Sequence, residues 1–395
     1  MRIALPPLEL ARWLLAAVLV ALLFSPPLTS VLELSLYALV LASAELRSRL
    51  ARTVRQPLAL LALSFWAIVA LGVTYSVAPS GDSLGTLVSW RRILLLVVGL
   101  ALFDDLAWKR RVAFVLVATA ACCAIASFAG AFLDVSFRHF PPGIILRQHA
   151  LQGMVFSVAA FSAALLLRHS VLPRIARLAV TTGAVLLVAN VIFITPGRSG
   201  YVVLAVLGAA FVLSLLKDRG ATRLERLAWM TGAALLTVTL MSTSPIVRQR
   251  IALGLAELQT YGQGRVISSM GERVIYMRNA VALIAERPLA GFGTGAFATA
   301  YGRMVEGRSG REGIKIHDPH NQYLNIAAQH GLLGLAVFLA VLVAAFRQRP
   351  PHPYRLLGLA VLSAWCVTSL VSSHFSTFAE GRFIWLWLGV FLARD

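Results

Sequence analysis

Long apolar runs separated by short arginine-rich loops dominate this 395-residue sequence. A helix needs roughly 20 apolar residues to cross about 30 Å of hydrocarbon, and run after run here approaches that length. The hydrophobic fraction is 58%, charged residues make up 13% and mean hydropathy is +0.79, which excludes an ordinary soluble protein. The sequence therefore predicts an all-α polytopic membrane protein. In a soluble domain a formal charge of +19 would suggest nucleic acid as a partner. Here the arginines punctuate apolar runs, so the excess is a topology signal and no nucleic acid is expected, only membrane lipid. Cys122, Cys123 and Cys366 all lie inside apolar runs and read as small packing residues rather than a disulfide framework.

Breaking the chain at charge clusters and Pro/Gly turns gives about twelve apolar segments, near 10–25, 28–45, 57–76, 88–103, 111–133, 147–167, 172–194, 199–216, 227–246, 321–346, 355–373 and 381–393. The first run lacks a small-x-small cleavage site and reads as a retained helix. Alternate connections are basic: Arg47 to Arg55, Lys109 to Arg111, Arg168 to Arg177, Lys217 to Arg226 and Arg347 to Arg355. By the positive-inside rule these face the cytoplasm, together with both termini. The opposite face carries short loops near Ser25, Ser80, Arg138, Arg198 and His374, and one long segment from about 247 to 320. The organisation expected is transmembrane helices over 1–246, a periplasmic loop domain over 247–320 and further transmembrane helices over 321–395. The loop should contain short amphipathic helices, one of them from Glu272 to Glu286 and ended by Pro288 and Gly291.

Chemistry concentrates on this second face. In His317-Asp318-Pro319-His320-Asn321, the Asp-Pro pair reads as a helix N-cap with proline in the first turn, which would place His320 in the first turn of an apolar helix. The positive end of the helix dipole there favours a neutral imidazole, able to act as a base. Arg198 sits in the tight turn Thr195-Pro196-Gly197-Arg198-Ser199-Gly200, positioned to bind an anion. Arg147 and His149 begin another membrane helix and are substrate-facing candidates. Arg91 and Arg92 read as a snorkelling pair beside Trp90, and Glu380 with Arg382 as a simple interfacial ion pair. Arg273 and Arg278 lie in the amphipathic helix, on slightly different faces. Gly291-Phe292-Gly293-Thr294-Gly295 lacks the spacing of a dinucleotide fingerprint and reads as a turn that lets backbone approach a ligand or another helix. No Asp-x-Asp pair, His-Glu-x-x-His or Cys/His ligand set appears on this face, so any phosphate bound there must be held by guanidinium groups.

The Thr195–Gly200 turn, the Arg273…Pro288-Leu289…Gly291-x-Gly293-x-Gly295-x-Phe297 run and His320-Asn321-x-x-Leu324, in this order on one face, resemble the bacterial O-antigen ligase family. That family belongs to a superfamily shared with O-antigen polymerases and protein O-oligosaccharyltransferases. The resemblance implies transfer of O-polysaccharide from undecaprenyl pyrophosphate to a sugar hydroxyl of lipid A-core, on the periplasmic side of the bacterial inner membrane, without metal or cofactor. It implies His320 as base, with Arg198 and Arg273 stabilising the departing pyrophosphate. Arg147, His149, Arg278, His317 and Asn321 are the further substrate-binding candidates. His317 is close enough to be the base instead. Met277 stands where relatives often carry tryptophan, so Arg278 could take the role of Arg273. A polymerase or a protein O-oligosaccharyltransferase are the alternatives within the superfamily. A transporter would concentrate ionisable groups near mid-membrane rather than at one rim.

Overall fold

The computed structural model describes residues 5–137, 140–225, 227–229, 231–232 and 269–394, with single positions between 239 and 252. The expected span 227–246, the start of the long loop to residue 268 and Arg138 fall wholly or largely outside these residues. Everything regular that is described is helical. In chain order the helices are α1 (Pro7–Phe24), α2 (Pro26–Ala42), α3 (Ala44–Thr53), α4 (Pro57–Thr74), α5 (Ser80–Trp90), α6 (Leu94–Leu102), α7 (Leu106–Phe132), α8 (His149–His169), α9 (Arg174–Phe193) and α10 (Arg198–Asp218). After the undescribed stretch come α11 (Ser269–Glu286), α12 (Phe297–Met304), α13 (Gln322–Phe346), α14 (Tyr354–Thr368) and α15 (Phe378–Phe391).

Among the described residues 8 helices are long and apolar enough to cross a membrane, or 9 if the bent pair α2 and α3 is one span. α5 and α6 form a single stretch, Ser80–Leu102, joined by a short 3-10 turn. α14 is apolar but shorter. Local signals set the helix starts. Pro7, Pro26 and Pro57 occupy first-turn positions where a missing N–H costs nothing. Ser25, Ser43 and Asp105 cap with their side chains. The 96° bend at Ser43 turns α3 away from α2; α3 carries Arg47, Arg49 and Arg52 and buries Leu46. That basic amphipathic pattern suits a bilayer surface, which is why the apolar run 28–45 ends in a bend.

Charges sort to the two ends of the bundle. At one end Arg12 and Arg49 both pair with Asp104, at 2.7 and 2.6 Å, while Lys109 Nζ donates to Ala393 O at 2.6 Å. Arg168 meets Asp218 at 2.7 Å and the His169 ring contacts His352. The basic loops thus gather together. Between the ends, helices approach closely where glycines face each other. A Cβ on Gly99 would lie 2.7 Å from Gly389 Cα, and one on Gly200 would lie 2.7 Å from Gly153 Cα. Trp365, Trp385, Trp387 and Phe338 fill the interior.

The structure revises two pairings. Arg382 does not serve an exposed bridge to Glu380; its Nε donates to the fully buried Glu33 at 2.7 Å, and Arg91 Nε lies 3.3 Å from the same carboxylate. Arg92 is buried rather than snorkelling, donating to the carbonyls of Ser376 and Thr377 and to Ser89 Oγ. Charges inside an apolar bundle persist only when paired in this way, and sequence spacing cannot reveal a partner about 350 residues distant.

Candidate functional site

At the opposite end from the basic loops, the N-termini of α8, α10, α13 and α15 converge with the loop after α14. Gln322 N donates to Ser369 O at 2.9 Å, and Asn321 Nδ2 to Leu370 O at 2.9 Å. Gln148 Nε2 donates to Glu380. Gly197 lies against the backbone of His149 and Ala150, where a Cβ would come 3.1 Å from His149 O.

The Arg198 turn is held by a buried polar knot. Gln152 Nε2 lies within hydrogen-bond reach of Gly143 O, Ser127 Oγ, Asn190 Oδ1 and Thr195 Oγ1, at 3.0 to 3.3 Å. Asn190 Nδ2 donates to Ser127 Oγ at 2.8 Å, and Tyr201 OH returns to Thr195 O at 2.9 Å. Such a network, fully enclosed, fixes one geometry. Arg198 projects from it as the first residue of α10, exposed, while Ser199 Oγ sits 3.3 Å from His374 Nε2.

Across from this turn, α11 supplies Arg273, half-buried, with a guanidinium N–H on Val371 O at 3.3 Å. Burial lowers the pKa of Arg273, the positive charge of Arg198 lowers it further, and Asp318 opposes. The two positive charges are thus close enough to repel one another. An anion between them would relieve that repulsion.

His320 completes the cluster in a way the sequence did not anticipate. The expected N-cap, Asp318, is used otherwise: its Oδ1 accepts His320 N at 2.6 Å and Ser373 Oγ at 2.9 Å, and Oδ2 accepts Asn325 Nδ2 at 3.0 Å. The cap is Asn321, whose Oδ1 accepts from Tyr323 N and Leu324 N, both at 3.0 Å. His320 therefore precedes the helix, in the left-handed region at φ 56°. An aspartate bonding two residues ahead forms its own turn, and the proline between disfavours a helical conformation at Asp318, so the helix starts later. The His320 ring, half-buried, lies 6.2 Å from the Tyr276 ring. Its pKa is lowered chiefly by burial, with Arg273 adding and Asp318 opposing. The neutral imidazole follows from burial, not from a position inside the helix.

The other candidates separate. Arg278 is tied to Glu312 in a two-oxygen pair at 2.7 and 2.9 Å, and its side chain is 62% exposed. Arg147 lies on the Phe378 ring at 4.8 Å, with Arg382 on the same ring at 4.1 Å. His149 begins α8 beside Gly197. His317 lines a cavity of about 470 Å³ between α5 and α13. His374, which its sequence context does not single out, is buried, hydrogen-bonded toward Ser199, and lowered in pKa by burial against the opposing charges of Glu380 and Asp318. The sequence offers only a histidine in the polar turn Ser372-Ser373-His374 between apolar runs.

The glycine run acts as a splice. α13 is broken at Gly331, φ 66° and ψ −173°, and the Pro288–Thr294 segment docks into the break. Leu332 N donates to Pro288 O at 2.7 Å, Phe292 N to Ala328 O at 3.0 Å, Gly293 N to Gln329 O at 2.8 Å and Thr294 N to Gly72 O at 3.0 Å. Backbone groups freed by the kink are thereby satisfied inside the protein. A Cβ on Gly331 would fall on Leu289 O, and one on Gly291 would lie 2.6 Å from Ala328 O. This clamp orients the first half of α13, and with it the 317–321 turn.

Among the described residues no group of three or more His, Cys, Asp or Glu side chains is spaced to hold a metal ion. No curated protein matches the chain. A family model described as O-Antigen ligase matches residues 183–339, a stretch holding Arg198, Arg273, Arg278, His317, His320 and Asn321 but not Arg147, His149 or His374.

Proposed function

Taking as premise that the chain is a member of the O-antigen ligase superfamily, which the match over 183–339 supports, we propose that it transfers O-polysaccharide from undecaprenyl pyrophosphate to a sugar hydroxyl of lipid A-core. In this reading the 12-span topology expected from the sequence holds, with the Arg198 end at the periplasmic face of the bacterial inner membrane. The observation that carries it is a convergence on the 371–374 loop: Arg273 donates to Val371 O, Asp318 accepts from Ser373 while holding the half-buried His320, and Ser199, next to Arg198, meets His374. Two guanidinium groups suit a diphosphate, and they gain most as negative charge builds on the leaving oxygen.

His320 accepts the proton of the acceptor hydroxyl as that oxygen bonds to the anomeric carbon; the carbon–oxygen bond to the lipid pyrophosphate breaks, and the pyrophosphate leaves on the arginines. A direct displacement inverts the anomeric centre and requires no covalent glycosyl-enzyme. The base is His320 rather than His317, because Asp318 ties His320 to Ser373 in the loop whose Val371 O accepts from Arg273, whereas His317 lines the neighbouring cavity. Arg278 is engaged with Glu312; Asn321 holds the turn as a cap; Arg147 rests on the Phe378 ring, and His149 lies beside Gly197 of the Arg198 turn. Mass analysis of products formed by purified protein from polyprenyl-pyrophosphate glycan and lipid A-core tests the reading. Glycan joined to lipid A-core supports it; growth of lipid-linked polymer alone would assign a polymerase instead.

A further inference from the structure

The cavity between α5 and α13 differs in chemistry from the arginine cluster, although both border the 317–322 turn. Its rim is exposed at Gly81, Asp82 and Gly85. Its floor is buried at Gln322 and Trp90, which are 0% and 4% exposed. The volume of about 470 Å³ falls within the range of small-ligand pockets. Among the described residues no arginine or lysine lines it. Instead the lining includes amides, the hydroxyl residues Thr86, Ser89 and Ser376, the imidazoles His317 and His330, and the buried aromatics Trp90 and Phe297.

One amide is held ready. Gln322 Oε1 accepts from Ser376 N and Ser376 Oγ, at 3.1 and 3.2 Å, so its Nε2 is oriented yet buried without a partner. An unmatched buried donor is unfavourable, and a hydroxyl ligand would satisfy it. The wall is also wired to the base. Gly295 N donates to Gln329 Oε1 at 2.7 Å, Gln329 Nε2 to Asn325 Oδ1 at 2.6 Å, and Asn325 Nδ2 to Asp318 Oδ2 at 3.0 Å. Asp318 is the residue that holds His320.

We propose that this cleft is a subsite for a neutral sugar ring, its hydroxyls bound by Gln322 and the wall hydroxyls. The inference rests on the glycan-transfer reading; the sugar belongs either to the acceptor or to the glycan of the donor. Planar amides match vicinal hydroxyls, and the lack of arginine or lysine among the described lining residues disfavours the pyrophosphate here.

Gly85 provides a clean test, because a Cβ added there meets no atom within 4 Å. Gly85→Phe should therefore fold normally while obstructing the rim; Gly208→Phe, equally open but on α10, is the control. Saturation-transfer NMR with lipid-free core oligosaccharide and, separately, with free O-antigen repeat oligosaccharide measures binding to the full-length protein without any turnover. At least one oligosaccharide should bind wild type and the control, and bind Gly85→Phe at least tenfold more weakly. Loss confined to the core sugar assigns the cleft to the acceptor, and loss confined to the repeat unit to the donor. Equal binding to all three proteins, or none to wild type, overturns the subsite. Because the readout is binding, failure of glycan transfer in the separate product assay would count against the transferase reading alone.

Discussion

Asp318 Oδ1 accepts the backbone N–H of His320 at 2.6 Å and so holds His320 in a left-handed conformation ahead of α13. The carboxylate also raises the imidazole pKa against the larger lowering effect of burial. Asp318→Asn keeps an oxygen for the N–H but removes the charge. It should retain most of the maximal rate while its acid limb moves to lower pH, whereas Asp318→Ala should lose at least about tenfold in kcat. pH–rate profiles of both variants check this, and an unmoved acid limb in Asp318→Asn would deny the electrostatic link.

With its pKa depressed by burial, His320 is neutral at pH 7 and becomes protonated only as pH falls through a value below the ordinary 6.5. Activity should accordingly be flat near neutrality and fall on the acid side below that value. Arg273 depresses the same pKa, so Arg273→Gln, assayed at saturating donor, should shift the acid limb upward. His320→Ala should lower kcat by about 10²–10⁴-fold with donor binding still measurable. A variant with wild-type turnover would remove His320 from the chemistry.

Arg198→Lys preserves charge but loses the planar two-point geometry that a diphosphate uses. A loss of roughly 10²-fold in kcat/KM is expected, on the scale of removing one fixed donor to a developing anion. Donor titration and turnover measured together read it; unchanged kinetics would reduce Arg198 to a helix anchor.

Gly331→Ala should destabilise by about 1–3 kcal/mol, since a side chain at φ 66° is strained and its Cβ falls on Leu289 O. Thermal unfolding in detergent checks this. A melting point equal to wild type would show that the Pro288–Thr294 splice is not needed to hold the kink.

Much of this arrangement was legible in residue order, because spans and basic loops follow from hydropathy and charge alone. The amphipathic helix expected from Glu272 to Glu286 is observed as Ser269–Glu286, and the helix expected at 321–346 as Gln322–Phe346. The glycine run was readable as a place of close backbone approach, but its partner, a broken helix some 40 residues later, was not. Glu33 with Arg382 escaped for the same reason: a buried ion pair between distant helices leaves no periodic trace. The cap at Asn321 is not legible in the sequence because Asp-Pro carries a helix-start signature, whereas the competing side-chain bonds of Asp318 to Ser373 and Asn325 are tertiary. His374 was hidden because its significance depends on Ser199, a neighbour only after α10 packs near the loop following α14.

The most direct test of the arginine–imidazole site is single-turnover transfer by purified, metal-stripped protein from undecaprenyl-pyrophosphate glycan to lipid A-core, comparing wild type with His320→Ala and Arg198→Lys. Transfer to lipid A-core by wild type, its loss in His320→Ala with donor still bound, and weakened transfer in Arg198→Lys are the predicted results. Undiminished transfer by both variants, or no lipid A-core product from the wild type, would contradict it.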